Sequence, residues 1–250
     1  MEIGSTAVLS VFILFCRIGT CLMLMPGFSS DRVPVNIRLF LVLSVTLALT
    51  PLLGVDVEPA LSHAAPIELA KLILSEILIG LLIGFLGRIF FAALETLANA
   101  IAMGIGLTSA LGAPIDEMEP LPAISTLITL SATTLLFVMD LHWEVLRGLV
   151  ASYQALPVVN GFGTQFGLIQ IADCLGRAFF LALRVSTPFI VFTVIINFSI
   201  GLTNKLTPQI PIYFISTPFV VGGGLFLLYF SSKQFLELFM AGFDIWLRLG

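Results

Sequence analysis

The sequence predicts an all-α integral membrane protein of about six hydrophobic helical segments, and three observations carry that prediction. First, 58% of the 250 residues are hydrophobic and only 10% are charged, with a mean hydropathy of +1.12. An ordinary soluble domain carries ~25% charged residues. Second, the apolar runs approach or exceed the ~20 residues that cross ~30 Å of hydrocarbon as a helix. Third, these runs are continuous and lack the two-residue alternation of a barrel strand, so their backbone must be satisfied within helices.

The first helix is expected from about Ser5 to Met25, ending at "PGFSSDRVP", where Pro26, Gly27 and Pro34 are turn formers. It lacks a basic leading region and Arg17 interrupts its apolar run, which reads as a retained helix rather than a cleaved signal. The second helix, Val35 to Thr50, is expected to stop at Pro51, followed by a loop holding Asp56 and Glu58. The third starts near Pro66, a suitable first-turn residue, and reaches at least Phe91 and as far as Met103. That length implies tilt, a break or an extension beyond the bilayer. Next comes "GIGLTSALGAPIDEMEPLP", Gly104 to Pro122, rich in Gly and Pro and carrying Asp116, Glu117 and Glu119. Inserts of this length are functional or disordered, with a solvated loop as the plain alternative.

The fourth helix covers Ala123 to Met139, and "DLHWEVLRG" continues it into "LVASYQALP" as an amphipathic helix ending at Pro157. After "NGFGTQFG", the fifth runs from about Ile169 to Leu202 and the sixth from Ile212 to about Phe239. The segment between them, "GLTNKLTPQIP" (Gly201 to Pro211), reads as a polar break that ends the fifth helix near Gly201 and restarts the chain at Pro208 and Pro211. No soluble domain or internal repeat stands out, so residues 1–250 read as a single polytopic helical membrane domain. Lys and Arg counts put the Arg32/Arg38 loop in the cytoplasm and the Asp56/Glu58 loop outside, although Arg147 and Arg177 run against this scheme.

Composition also excludes function classes. A net charge of −4 with no basic patch argues against nucleic-acid binding. Cys16, Cys21 and Cys174 form no CxxC pair, and with His63 and His142 they offer no metal-ligand spacing. They are expected to be small buried apolar side chains. Hydrolase, metalloprotease, P-loop and dinucleotide motifs are missing, and Asp140 and His142 beside Trp143 read as an interfacial anchor rather than a dyad. The expectation is a non-enzymatic protein without a cofactor.

Several ionisable residues interrupt the apolar runs, where a lipid-facing charge at the bilayer centre costs ~2.5–3.5 kcal/mol on the insertion scale. They must face protein or water. In "SEILIGLLIGFLGRIFFAALE", the residues Glu76, Gly80, Gly84, Gly87, Phe91 and Glu95 share roughly 100° of helical arc at 100° per residue. The Gly80/Gly84 pair makes a GxxxG face for close helix packing, either within this chain or against another subunit. Arg17 and Arg184 each offer to neutralise a carboxylate on a neighbouring helix. A small secondary transporter working through Glu76, Glu95 and Arg184 is the competing reading, and the missing repeat weighs against it.

Four stretches together resemble one family. "RIGTCLMLMPGFSSDRVPVNIRLFL" (Arg17 to Leu41), "SEILIGLLIGFLGRIFFAA" (Ser75 to Ala93), "HWEVLRGLVASYQALP" (His142 to Pro157) and "NFSIGLTNKLTPQIPIYFISTPF" (Asn197 to Phe219) are similar, in order, to the R subunit of the bacterial flagellar export gate and its injectisome relatives. The signature positions are Arg17, Pro26, Pro34, Arg38, Asn197, Gly201, Asn204, Lys205, Pro208 and Gln209. The resemblance implies helical hairpins that bend back, built with P and Q subunits into a helical channel in the bacterial inner membrane, beside the B subunit of the export switch. Unfolded flagellar proteins would pass through it. A pore-plugging loop would correspond to Gly104 through Met118, including Gly106, Leu107 and Gly112, whose glycines permit wide backbone excursions. Two departures stand out: in the segment after the third helix, where in the family a Gly usually follows Ala, this sequence reads "LETLANAIAMG" with Asn99, and Lys205 replaces a more usual Arg, keeping the charge and losing the bidentate fork.

Overall fold

The protein is described by a computed structural model covering residues 2–30, 33–61, 65–106, 123–161 and 163–249. Among these residues every regular element is helical: α1 (Glu2–Leu24), α2 (Val35–Leu61), α3 (Pro66–Gly104), α4 (Ala123–Val138), α5 (Leu141–Ala155), a 3-10 turn (Val158–Asn160), α6 (Thr164–Leu206) and α7 (Ile212–Leu249). Five helices are long and apolar enough to cross a membrane, or six when α4 and α5, bent by 72° at their junction, are taken as one broken span. The chain is therefore an all-α integral membrane protein. Helices α3, α6 and α7 have 39, 43 and 38 residues. At ~1.5 Å per residue each is about twice as long as the hydrocarbon is thick.

Helix α6 begins at Thr164, five residues ahead of the expected start, and four other boundaries differ from the sequence expectation for local reasons. Helix α2 does not stop at Pro51 but contains it, together with Pro59. The hydroxyls of Thr46 and Thr50 donate to the carbonyls of Val42 and Thr46, both at 2.8 Å, back-bonds that bend a helix without ending it, and Pro51 leaves the Leu47 carbonyl without the amide four residues on. Helix α6 runs past Gly201 to Leu206, since a single glycine costs a helix only ~1 kcal/mol, and its polar side chains fold back onto its own backbone. Asn197 Nδ2 donates to the Thr193 carbonyl, and the Ser199 and Thr203 hydroxyls to the carbonyls of Ile195 and Ser199. The helix ends one residue before Thr207, whose position ahead of Pro208 disfavours helical geometry. Helix α7 extends beyond Phe239, with Phe239, Met240 and Phe243 all buried. The expected continuation of the fourth helix is instead a break at Met139–Asp140, where Asp140 adopts φ 58°.

The chain forms two compact units: Met1–Phe90, Leu136–Gly176 and Trp246–Gly250 in the first, Phe91–Leu135 and Arg177–Ile245 in the second. In the first unit α1 and α2 form a hairpin whose turn is closed by hydrogen bonds from the amides of Phe28 and Ser29 to the Met25 carbonyl, at 3.2 and 3.1 Å. Gly27 sits at φ 91° in that turn, against the ring of Phe137. Ile13, Leu14, Ile18, Leu22, Leu53, Val57, Val145 and Leu149 build the core. Helix α5 contributes through an amphipathic face, Leu141, Val145, Leu149, Ser152 and Tyr153, whose three- and four-residue steps put these side chains on one side.

In the second unit α6 and α7 pack antiparallel. The α-carbon of Gly223 faces Phe192 and that of Gly242 faces Leu181. An edge-to-face pair reinforces the contact, Phe189 with Phe235 at 6.1 Å, and Phe91 of α3 joins α7 in the same way through Phe239 and Phe243 at 5.6 and 5.5 Å, a geometry favoured by the ring quadrupole.

Candidate functional site

The glycine face read from the sequence lies against α1 of the same chain. A methyl group on Gly80 would overlap the Thr20 hydroxyl and the Arg17 carbonyl. One on Gly84 would sit 2.6 Å from the Cys21 carbonyl oxygen and 2.9 Å from Leu24 Cβ, and one on Gly87 would meet the Met25 thioether. Contacts that advance together along both helices mean that α1 and α3 run parallel, and at this approach only glycine fits. Of the two roles the sequence leaves open for this face, its contacts here are those of packing within one chain.

That close approach brings Arg17 onto Glu76. Both side chains are completely buried, and Arg17 Nε lies 2.7 Å from Glu76 Oε2 while Nη2 lies 2.7 Å from Oε1. Nη1 donates to the Ser152 carbonyl at 3.1 Å and to Ser152 Oγ at 3.3 Å, and Nη2 donates to the Leu156 carbonyl at 2.9 Å. The guanidinium has five N–H groups, and these contacts occupy every one. Its flat face covers the Tyr153 ring, with Cζ 4.0 Å from the centroid, an added cation–π contact. The cluster ties three elements: α1 through Arg17, α3 through Glu76, and the carbonyl end of α5, where a cation suits the helix dipole. Glu76 is thereby committed to an ion pair, with both carboxylate oxygens engaged.

The second unit holds a half-open cleft of about 370 Å³ lined by Met103, Gly104, Gly106, Asn197, Tyr213 and Thr217, among others. Gly104 closes α3 against α6, where an added methyl would meet Thr193 Oγ1 at 2.6 Å. Gly106 follows at φ 77°, a backbone region that favours glycine. The chain leaves α3 at the rim of this cleft. Leu107, Gly112 and Met118, along with the acids Asp116, Glu117 and Glu119, lie outside the described residues.

The signature residues divide between the units. In the first, Arg17 is buried in the ion cluster, Pro26 is buried in the α1–α2 turn, and Pro34 is exposed just ahead of α2. Arg38 reaches back across that turn, with Nη1 3.4 Å from the Ser29 carbonyl. In the second unit Asn197 lines the cleft, while Gly201, Lys205, Pro208 and Gln209 are exposed and Asn204 is partly so. Lys205 makes no ion pair among the described residues. Arg184 is exposed as well, and Glu95 is half-buried. The three cysteines are buried thiols, as their apolar surroundings suggest. Sequence reasoning missed Tyr153 and the Ser152 and Leu156 carbonyls. The one available signal was the amphipathic period of α5, which places Ser152 and Tyr153 on its buried face.

Comparison with known proteins identifies similar chains. The profile of Bacterial export proteins, family 1, matches residues 8–245. Flagellar biosynthetic protein FliR of Caulobacter vibrioides is 30% identical over 219 residues, 88% of this chain and 86% of that protein. The protein of the same name from Aquifex aeolicus is 25% identical over 223 residues, covering 89% and 85% of the two chains. That of Escherichia coli K12 is 25% identical over 203 residues, covering 81% and 76%.

Proposed function

The chain belongs to the bacterial export proteins, family 1, and from that premise we propose that it is a channel and gate subunit through which unfolded flagellar proteins leave the cytoplasm. Membership in the flagellar type III export apparatus follows from the family match and from relatives that share one flagellar name. The observation that carries the reading is the extent of the match, which takes in both compact units and nearly every helix. The work is assembly, sealing and passage of polypeptide rather than catalysis. The reading places the chain in the bacterial inner membrane, assembled with the P and Q subunits of the gate and next to the B subunit of the switch. An injectisome role is the alternative, and the flagellar names of the relatives favour the first. Deletion of the gene should abolish filaments and motility. A deletion strain that swims, or one that loses only effector secretion, would refute the flagellar reading.

Within this reading the segment Gly104 through Met118 serves as the pore plug. Two features of its start support the assignment. Gly104 is pinned against Thr193 with no space for a side chain, and Gly106 turns the chain out at positive φ beside the cleft. Removing residues Gly106 to Ala113 should make cells with an assembled apparatus leak small ions. Unchanged permeability in an assembled mutant complex would remove the assignment.

A further inference from the structure

Arg184 is the only charged residue between Arg177 and Lys205, and it sits near the middle of α6. Its side chain is exposed and makes no hydrogen bond or ion pair among the described residues. At 100° per residue, Phe180, Pro188, Val191, Ile195, Phe198 and Leu202 lie within ~40° of it on either side. This stripe is open: Phe180 and Phe198 are 69% and 72% exposed, and Val191, Ile195 and Leu202 are each at least half exposed. One more group at the same spot has lost its usual partner. Pro188 has no N–H, so the carbonyl of Arg184 lacks the amide four residues on that a helix normally supplies.

Each simple surrounding fails one half of this face. Lipid suits the apolar stripe but leaves a guanidinium and a freed carbonyl in hydrocarbon, where ionisable side chains are rare and almost always paired. Water suits Arg184 but wets an aromatic stripe of a kind that marks interaction surfaces. An apolar helix with a carboxylate opposite Arg184 satisfies both, because the charge is neutralised in place and the flanking side chains pack on their own kind. Resting on the reading above that the chain works inside a membrane complex, we infer that the Arg184 face of α6 docks onto an apolar helix of another membrane subunit that presents an Asp or Glu to Arg184. The bidentate fork of arginine suits such a contact better than a lysine would.

The test uses the full chain, co-expressed with the other membrane proteins of its apparatus, with a photo-crosslinking side chain at Val191 or Ile195. Illumination followed by purification in mild detergent should yield an adduct with another membrane protein, mapped to an apolar helix containing Asp or Glu. Arg184→Leu is compatible with insertion, and it should lower the recovery of that partner by roughly tenfold or more. Arg184→Glu combined with a basic replacement of the partner carboxylate should restore it. Recovery of the Arg184→Leu complex at the unmodified yield would overturn the inference, as would adducts confined to lipid or to this chain itself. Labelling of Arg184→Cys by a water-soluble maleimide in the assembled complex would do the same by placing the face in water. If the unmodified chain co-purifies with no other protein, the complex reading itself falls. A normal complex that ignores Arg184→Leu sinks only the docking site.

Discussion

Severing Arg17 from Glu76 should do more damage than deleting both. The Glu76→Leu substitution leaves a guanidinium with no exposed surface and strips two of its five hydrogen-bonded N–H groups of their acceptor. Arg17→Met leaves the carboxylate equally buried and unpaired. Breaking one side of a buried pair costs ~3–5 kcal/mol, whereas replacing both sides by apolar residues is often neutral. In the double variant both charges disappear. The Ser152 carbonyl keeps its bond from the Leu156 amide at 2.8 Å and the Ser152 hydroxyl keeps the one it donates to the Leu149 carbonyl at 2.6 Å, so the Leu156 carbonyl is the group that loses its recorded bond outright. An orphaned, partly buried acceptor costs ~1–3 kcal/mol, so the double variant should be more stable than either single one. The measurement is a double-mutant cycle on the detergent-solubilised chain, following denaturation in mixed micelles and protease protection. If the double variant loses the sum of the two single losses, the residues do not act as a pair and the reasoning is wrong.

Other substitutions probe the same seam. Gly84→Leu must place Cβ within 2.6 Å of a backbone oxygen that cannot rotate away, so the loss should reach or exceed the ~3 kcal/mol upper range for overpacked cores. Stable accumulation of that variant with an unchanged protease pattern would show that α1 and α3 do not touch as described. The Tyr153 hydroxyl is buried without a partner, so Tyr153→Phe should be neutral or slightly stabilising in the same denaturation assay. Tyr153→Leu removes the face under Arg17 and should cost ~0.5–2 kcal/mol; equal stabilities for the two variants would dismiss the cation–π contact.

How much of this was legible beforehand depends on whether the information is local. Apolar runs and a 100° period are local, so the helices and the face holding Glu76, Gly80, Gly84 and Gly87 could be read directly. The partner of that face could not, because nothing in the spacing says that α1 rather than another helix, or another chain, covers it. Arg17 and Glu76 each stood out as a charge in an apolar run, yet 59 residues separate them and loops carry no register. Two of the remaining acceptors are backbone carbonyls, which leave no mark in the residue type. Pro51 and Gly201 misled in the opposite direction. Both are breakers by local rule, and both are carried inside helices, where side-chain hydroxyls and amides bond the nearby backbone. Arg184 was visible as an anomaly, and the fold sharpened it by showing that no described neighbour answers it.

The order in which the ion cluster can be completed is set by biosynthesis. Arg17 leaves the ribosome 59 residues ahead of Glu76 and 139 residues ahead of the Leu156 carbonyl. At ~5–20 residues per second the first delay is about 3–12 s and the second about 7–28 s. Throughout that interval the first helix must enter or wait at the bilayer with its cation unanswered, relying on the apolarity of Ala7–Leu24. The carboxylate reaches it only with the third helix, and the last carbonyl only once more than half of the chain has been made. The cluster is therefore a late event that closes only after α5 has been synthesised, and a chain truncated before Leu156 cannot close it.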